Sequence, residues 1–521
     1  MSDRQGHPEA PTSLRPRADD DDGLTPATQT RSASRPVGPV VVVVLLAVIL
    51  SYQLLIPPVI GLADQGDYFR IFERFGIQSS ISDYTHRYFG YFIRTWAINE
   101  KAAHETGFLS PDALLVAASI SLNSLLSKTG VYDVRCLALV RMALFLAAAA
   151  LILQLAWRRG LLVRCVAVFS LLFVFADVGY VAYLNSGYTE PSSFLFGLLL
   201  IAFYLRLAAS EGNPWTNLAG FVSSAALLTW GKPQNILIGF VAGLAALRLA
   251  QATRTPHWRV GTRLAAAGLV AWSVLFHIVA PPESYRDAIR YIAVFTNLLP
   301  FSPHPRQDLH DLGLNPSLAT LAGTFPWQKE AVKRQTELRQ LFYSRIGDGT
   351  LARFYLRHPQ RIWTLLRVSA PEALSLRTPY GNFEEAAGLK PYAQAQSFAM
   401  RSDLIRRYGP NHLGWLAAWL GVALLAGVVL RSRARTPGLV LATEGIALLV
   451  LAAVSQYATV AVLQGPHFVW KQMFLFAFLF DCCLVATVAL GAERLDGLLI
   501  CCQRRHTSHR SAGEGASRCI G

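Results

Sequence analysis

Two aspartates, Asp64 and Asp67, lie three residues apart directly after an apolar segment that is long enough to cross a bilayer. Carboxylates at the face of a membrane are costly to place, and they are more often functional than ordinary surface acids. A carboxylate there could take a proton from an attacking hydroxyl group. The pair could equally belong to a solvated helix end with a turn at Gly66. The position of the two acids does not separate these interpretations.

Further polar side chains gather on the same predicted face of the membrane. Phosphate binding requires Lys, Arg or His, and an acceptor hydroxyl requires a carboxylate base. The combination is typical of a site for an anionic, lipid-linked substrate. The residues in question, besides the two aspartates, are Arg87, Glu190, Lys232, His467 and Lys471.

Three of these residues also have a purely structural interpretation. Glu190 precedes a proline, so it could simply begin a helix near the positive end of its dipole. Lys471 follows a tryptophan and could extend its ammonium group to the membrane surface. His467 could be an ordinary interfacial histidine. Lys232 is harder to explain in this way, because a cation at a break in a membrane segment needs a partner.

The composition predicts a polytopic, all-α membrane protein. The chain has 521 residues, of which 53% are hydrophobic and 16% are charged, whereas soluble domains carry about 25% charged residues. The net charge of +15 comes from arginines and lysines dispersed in short clusters, the pattern of the positive-inside rule rather than of nucleic-acid binding. The seven cysteines lie in apolar segments or the C-terminal tail. They predict neither a disulfide framework nor a zinc site.

Ten apolar segments predict about ten transmembrane helices. Arginine clusters, including Arg254, follow the even-numbered segments, and the positive-inside rule then places both termini in the cytoplasm. We keep the fifth and sixth segments separate, because Pro233 disfavours helix at Lys232. The ten segments are residues 37–60, 135–156, 161–179, 191–208, 215–230, 234–250, 262–281, 412–430, 437–463 and 472–491.

The order of the segments divides the chain into five parts. The first outer loop should contain interfacial helices, notably residues 112–126, and helical segments such as 329–343 are expected in the large outer loop between helices 7 and 8. The parts are a disordered cytoplasmic tail (1–36), a seven-helix membrane module with the first outer loop (37–281), a large non-cytoplasmic loop (282–411), three C-terminal transmembrane helices (412–491) and a cytoplasmic tail (492–521).

One span, a carboxylate pair and a loop with interfacial helices resemble the GT-C superfamily of integral-membrane glycosyltransferases, which use polyprenyl-phosphate sugars as donors. Residues 63–70, Ala-Asp-Gln-Gly-Asp-Tyr-Phe-Arg, are similar to the Asn-Gly-Asp-Phe-x-Arg signature of WsfD-type bacterial cell-envelope hexose transferases. The sequence departs from that signature at Gln65, and two residues separate the acids. Further short motifs in matching order are residues 132–135, 185–191, 232–234, 356–359 and 380–383.

The resemblance implies a hexosyltransferase of the bacterial cell membrane whose partners are the bilayer, a polyprenyl-phosphate sugar and a glycan acceptor. Asp67, with Asp64 as the alternative, would take the proton of the acceptor hydroxyl as that hydroxyl attacks the anomeric carbon, with inversion of configuration at that carbon. Two carboxylates without a third ligand give little support for a divalent metal. Lys471, Lys232, Arg87 and His467 would bind the donor phosphate. Glu190, Arg357, His358, Tyr380 and Asn382 would contact the acceptor or support the site.

Two other function classes stay open at this point. An envelope glycan polymerase or ligase would fit the many arginines of residues 282–411, but it has no need of the acidic pair. A lipid or solute transporter would more often place ionisable residues near the bilayer midplane, with helix breaks in symmetric positions.

Overall fold

The computed structural model describes residues 37–99, 101, 103, 109–126, 130–251, 255–467 and 469–516, with the side chains of all but Thr85 and residues 498–516. The predicted disordered tail (1–36), Arg254 and the last five residues lie outside this description.

Long helices alternate with two structured connections. The first connection, residues 55–134, follows the first helix. Its described residues form two short α-helices and two short strands, then a longer apolar helix and a third short strand before the second span. The elements are α1 (Val37–Leu54), α2 (Phe69–Phe72), β1 (Ile77–Gln78), α3 (Tyr84–Arg87), β2 (Thr95–Ile98), α4 (Pro111–Leu126) and β3 (Val131–Asp133).

The helices that follow form the first part of the membrane bundle. They are α5 (Arg135–Ala156), α6 (Leu161–Phe169), α7 (Val178–Leu184), α8 (Glu190–Ala208), α9 (Pro214–Trp230), α10 (Ile236–Leu249) and α11 (Pro256–Val279). A π-helical turn, Ser170–Phe175, extends α6, and a 3₁₀ turn, Pro233–Asn235, precedes α10.

The second connection, residues 280–412, is mostly helical and has its own apolar core around Phe295, Phe342 and Phe354. The predicted helical segment 329–343 is confirmed, because Lys329–Lys333 and Gln335–Leu338 are α-helical and Arg339–Tyr343 is a π-helical turn. The α-helices of the second connection are α12 (Glu283–Tyr291), α13 (Pro305–Asp311), α14 (Lys329–Lys333), α15 (Gln335–Leu338), α16 (Asp348–Arg357), α17 (Pro359–Ser369) and α18 (Met400–Tyr408). The bundle is completed by α19 (Leu413–Ser432), α20 (Pro437–Leu463), α21 (Val469–Gln472) and α22 (Phe474–Ala516).

The expected polytopic helical membrane fold is confirmed, with fewer full-length spans than ten. Seven described helices are long and apolar enough to cross a bilayer, or eight if residues 161–184, bent by 63°, form one span. The other two predicted spans are α9, with 17 residues, and the stretch 233–249, which is counted among the shorter helices. Seventeen residues give about 26 Å of helix, a few Å less than the bilayer core of about 30 Å.

The predicted break at Lys232 is confirmed. The residue is extended, with φ −152° and ψ 146°, as expected before a proline. The two helices around the break run in opposite directions. Trp258 at the start of α11 lies against Trp215 at the start of α9, with ring centroids 5.4 Å apart, and donates to the carbonyl of Leu249 at the end of α10 at 2.8 Å.

The first connection contains a small antiparallel sheet, an addition to the all-α fold expected from the sequence. Its strand order is β1-β2-β3, with Trp96 opposite Tyr132. Strands of two to four residues are too short to show an alternating pattern, which is why the sequence did not reveal them. The sheet carries the rings of Trp96 and Tyr132 against Phe72, and Tyr68 lies against Phe72 and Trp96.

Charged residues at one end of the bundle pair with each other across helices. Arg159 contacts Glu493 at 2.7 Å, while Arg248 and Arg431 share Glu444 at 2.7 and 3.0 Å. We call the opposite end, where α1 ends and α8 begins, the Asp64 end. The candidate site is built there.

Candidate functional site

The chain after α1 runs as an extended segment that leads to Asp64. Its backbone N–H groups at Gly61 and Ala63 donate to the carbonyls of Asn382 and Gly381, each at 2.9 Å. Residues more than 300 positions apart in sequence therefore fix where the segment ends.

Asp64 organises the turn that follows it. One carboxylate oxygen accepts the backbone N–H groups of Gly66, Asp67 and Tyr68 at 2.7, 2.9 and 3.2 Å, and the other lies 2.8 Å from the guanidinium of Arg87. Gly66 has φ +98°, a conformation that glycine adopts without strain. Burial raises the pKa of Asp64, while Arg87 and the N–H groups oppose that rise. Both oxygens of Asp64 are thus occupied in holding the turn.

Asp67 is the more accessible of the two acids, with 17% of its side chain exposed. Its carboxylate contacts the ammonium group of Lys471 and lies 3.0 Å from the guanidinium of Arg70. The side-chain amide of Gln65 donates to it at 2.8 Å. A carboxylate held by three donors is fixed in direction, and its two cationic partners give the site an excess of positive charge.

Lys471 reaches this acid from α21, the short helix between α20 and α22. Its side chain is 4% exposed, and its ammonium lies 4.6 Å from the centroid of the Tyr188 ring. Such a position favours a cation. Burial nevertheless lowers the pKa of Lys471 to about 7, and the charge of Asp64 opposes that shift.

Residues 380–382 form a strap across the turn. The hydroxyl of Tyr380 donates to the side-chain carbonyl of Gln65. Asn382 donates to the carbonyl of Gly61 at 2.8 Å and accepts the N–H of Ala395 at 3.1 Å. The sequence predicted Tyr380 and Asn382 as acceptor contacts or support. In the structure, the Tyr380 side chain binds the turn, and the Asn382 side chain binds the segment before the turn and the N–H of Ala395.

Glu190 and Lys232 form a buried ion pair beside the turn. Glu190 begins α8, with Pro191 in its first turn, and its carboxylate lies 2.6 Å from the Lys232 ammonium. The break that carries Lys232 also touches α21, because Gln234 donates to the carbonyl of Gln472 at 3.4 Å. The pair therefore lies next to the Lys471 segment.

Two predicted site residues have their described contacts with the second connection, and a third lies in it. The ring of His467 lies 5.5 Å from that of Phe325, and burial lowers the pKa of His467. His358 lies 3.4 Å from Asp311. Arg357 is exposed at the end of α16. The structure brings together Asp64, Asp67, Arg87, Lys471 and Tyr380, with Glu190, Lys232 and Asn382 around them.

Sequence reasoning did not single out several residues that build the site. Tyr188 lies within a recognised motif, but only the fold shows its ring against Lys471. Arg141 lies inside a predicted span, where a charge is itself a signal. It pairs with Asp112 at 2.7 Å, both side chains fully buried, and it donates to the carbonyls of Ser186 and Tyr188 at 2.7 and 3.3 Å. Arg141 thus supports the turn that carries Tyr188.

The described residues fit a metal ion poorly at this place. In the part of the chain that the structure describes, no three His, Cys, Asp or Glu side chains converge. One acid of the pair is occupied by backbone N–H groups and Arg87, and the other contacts two cations. We derive no step through a metal.

Comparison with known structures gives a distant similarity. The chain is 13% identical to the archaeal oligosaccharyltransferase AglB from Archaeoglobus fulgidus, solved in complex with an inhibitory peptide and a dolichol-phosphate. The alignment covers 87% of this chain and 50% of that one, with a TM-score of 0.37. The chain thus spans half the length of that protein. A comparison with curated proteins found no match.

A family model described as the YfdI N-terminal transmembrane domain matches residues 27–511. The match includes both connections, all the site residues discussed above and every described element of the bundle, apart from the last five residues of α22. The chain therefore belongs to the YfdI N-terminal transmembrane domain family.

Proposed function

We propose that this protein is an integral-membrane glycosyltransferase of the GT-C type. It would move a hexose from a polyprenyl-phosphate donor to a glycan or lipid-linked acceptor of the bacterial cell envelope, as WsfD-type transferases do. The observation that carries the proposal is the contact between Asp67 and Lys471, a carboxylate and a buried cation side by side at one end of a membrane bundle.

The two groups have complementary tasks in such a transfer. The acceptor oxygen attacks the anomeric carbon, its proton goes to Asp67, and the bond between that carbon and the phosphate oxygen breaks. The lipid phosphate leaves with the electron pair of that bond. Lys471 and Arg70 compensate the negative charge that develops on it. General-base assistance of this kind contributes about 10²–10⁴-fold to a rate.

The contacts of the two aspartates support a different role for each of them. Asp64 accepts three backbone N–H groups and faces Arg87, so it positions the turn. Asp67 is the base in our proposal, because it is the more exposed acid and meets the phosphate-binding cations. When the donor phosphate engages Lys471, the carboxylate of Asp67 loses its closest cation and becomes available to the acceptor hydroxyl.

We also propose that the Asp64 end faces the non-cytoplasmic side. The support is the arginine-rich opposite end, where Arg159, Arg248 and Arg431 lie, since positive residues between short spans favour the cytoplasm. The division into membrane module, outer region 282–411 and C-terminal helices follows from the same orientation. No sugar nucleotide is available outside the cytoplasm, which is why the donor would be lipid-linked.

The test is sugar transfer by purified protein in detergent from a radiolabelled polyprenyl-phosphate hexose to envelope glycan acceptors. We expect transfer by the wild type and its loss in Asp67→Asn, which keeps the size of the side chain but removes its basicity. Asp403→Asn is the matched control, because Asp403 is an exposed acid paired with Arg406. Absence of transfer by the wild type, with intact donor and several acceptors, would contradict the proposed function.

A further inference from the structure

Two buried polar atoms near the proposed reaction centre have no hydrogen-bond partner among the described residues. They are the hydroxyl of Tyr183 and one carboxylate oxygen of Glu190, and each residue is only 1% exposed. A buried polar group without a partner is destabilising, and most such groups in proteins are satisfied. Two of them in one place suggest a ligand that supplies the missing partners.

The fold places these groups beside the Asp67–Lys471 pair. The Tyr183 ring lies 6.0 Å from that of Tyr188, and Tyr188 lies against the Lys471 ammonium. Burial, with a contribution from the charge of Glu190, raises the pKa of Tyr380 to about 12. Tyr380 in turn binds the turn that carries Asp67.

The two residues that carry the open atoms are held firmly. Arg141 donates to the backbone carbonyl of Tyr183 at 3.3 Å and to that of Leu184 at 3.1 Å. Glu190 is fixed by Lys232 at 2.6 Å through its other oxygen. The open hydroxyl and the open carboxylate oxygen are therefore pre-organised.

The chemistry of these groups selects the ligand class. A tyrosine hydroxyl both donates and accepts, a carboxylate oxygen accepts, and an ammonium has three donors, of which Lys232 directs one to Glu190. Neighbouring hydroxyl groups of a sugar satisfy such a mixture. A phosphate would be repelled by Glu190, and an isoprenoid chain would leave the polar atoms unpaired.

We propose that Tyr183, Glu190 and Lys232 bind the hydroxyl groups of the transferred sugar and determine which hexose is accepted. This inference rests on the proposed function and deepens it, because it assigns the sugar to one side of the Asp67–Lys471 pair. Sites that hydrogen-bond a substrate hydroxyl discriminate strongly against analogues that lack it.

The test combines one isosteric variant with altered donors. Polyprenyl-phosphate glucose, galactose and mannose are compared first, and single deoxy analogues of the preferred sugar are then measured for kcat/KM. We expect one deoxy analogue to react more slowly with the wild type, by roughly 5- to 150-fold, because it leaves a buried polar group of the protein unpaired. With the parent sugar, kcat/KM of Tyr183→Phe should be lower than that of the wild type by a similar factor. The variant should have the same kcat/KM for that analogue as for the parent sugar.

The control is Tyr355→Phe, which makes the same change at another buried hydroxyl without a partner among the described residues. Tyr355 lies in α16, within the core of the second connection, and its variant should keep the wild-type pattern. A uniform loss by Tyr183→Phe on every analogue, or no loss on any, would overturn the inference.

A failure of the proposed function gives a different result. If the wild type transfers no sugar, the inference is tested by measuring how tightly the protein binds the lipid donors. Polyprenyl-phosphate glucose should then bind more tightly than polyprenyl phosphate without a sugar, and Tyr183→Phe should reduce the difference. Equal binding of the two lipids by the wild type would overturn the inference that these residues bind the sugar.

Discussion

Replacing Asp64 by Asn should weaken the fold rather than remove the proposed base. Asp64 is 2% exposed, and its partner Arg87 has a side chain that is 13% exposed. Breaking a buried ion pair costs about 3–5 kcal/mol, because the remaining charge is left unpaired. Asn keeps one oxygen that can accept the N–H groups of the turn, so we expect the lower end, about 3 kcal/mol.

A second substitution should recover part of that loss. Arg87 also stacks on Tyr88 and Trp96, with its guanidinium carbon 4.5 and 4.6 Å from the ring centroids. Arg87→Met keeps much of this apolar contact and removes the charge. In the double variant Asp64→Asn/Arg87→Met no buried charge is left alone, so the two destabilisations should be less than additive by about 2 kcal/mol.

Thermal unfolding in detergent measures these effects. With about 2.1 cal/mol/K per residue, a loss of 3 kcal/mol corresponds to a Tm that is lower by roughly 3 °C if the chain unfolds as one unit. Asp403→Asn, which affects an exposed pair, should shift Tm by less than about 1 °C. An unchanged Tm for Asp64→Asn, or a double variant whose loss equals the sum of both, would refute the structural role of this pair.

Three further predictions concern the surroundings of the site. Burial lowers the pKa of Lys471 to about 7, so the ammonium loses its charge as pH rises through that value. KM for the donor should therefore increase between about pH 6 and 9 in the wild type. In Lys471→Arg, KM for the donor should not change over this pH range. Gly381→Ala would place a Cβ 1.9 Å from the carbonyl oxygen of Gly90, so the backbone would have to shift. This shift should lower the free energy of unfolding by about 1–3 kcal/mol, measured by thermal unfolding, and it should slow sugar transfer. Arg401→Gln should cost about 3–5 kcal/mol, because it removes the guanidinium 2.8 Å from Asp481 and leaves that buried charge with the Tyr180 hydroxyl but no cation. Adding Asp481→Asn should recover part of the loss in the same assay.

Each of these predictions has a contrary outcome. A donor KM that rises equally with pH in the wild type and Lys471→Arg would remove Lys471 from phosphate binding. Gly349→Ala, where a Cβ meets nothing within 4 Å, serves as the control for Gly381→Ala, and equal stability of the two variants would contradict the close approach. Additive losses for Arg401→Gln and Asp481→Asn would show that the two side chains do not interact.

The sequence predicted features that depend on local pattern. The apolar spans follow from composition along the chain, and the break at Lys232 follows from the steric effect of Pro233. The helix at residues 112–126 was expected as well and is α4 (Pro111–Leu126). The segments predicted at 215–230 and 234–250 are found as helices with nearly the same ends, and they differ from the other spans in being 17 residues long.

Features that depend on distant contacts could not be predicted in the same way. Asp67 and Lys471 are 404 residues apart in the chain, and the contact between Tyr380 and Gln65 spans 315 residues. Sequence analysis could name these residue types as candidates, but only the fold brings them together. It also distinguishes the contacts of Asp64 from those of Asp67, since the backbone bonds of the turn are invisible in the sequence.

The most direct test of the account compares donor binding and transfer in a single variant, Asp67→Asn. If Asp67 is the base and Lys471 holds the phosphate, the variant should bind polyprenyl-phosphate hexose at least as tightly as the wild type, because the carboxylate no longer competes for the ammonium. Its transfer rate should fall by roughly 10²–10⁴-fold. Undiminished transfer by the folded variant, or loss of donor binding together with transfer, would contradict the assignment.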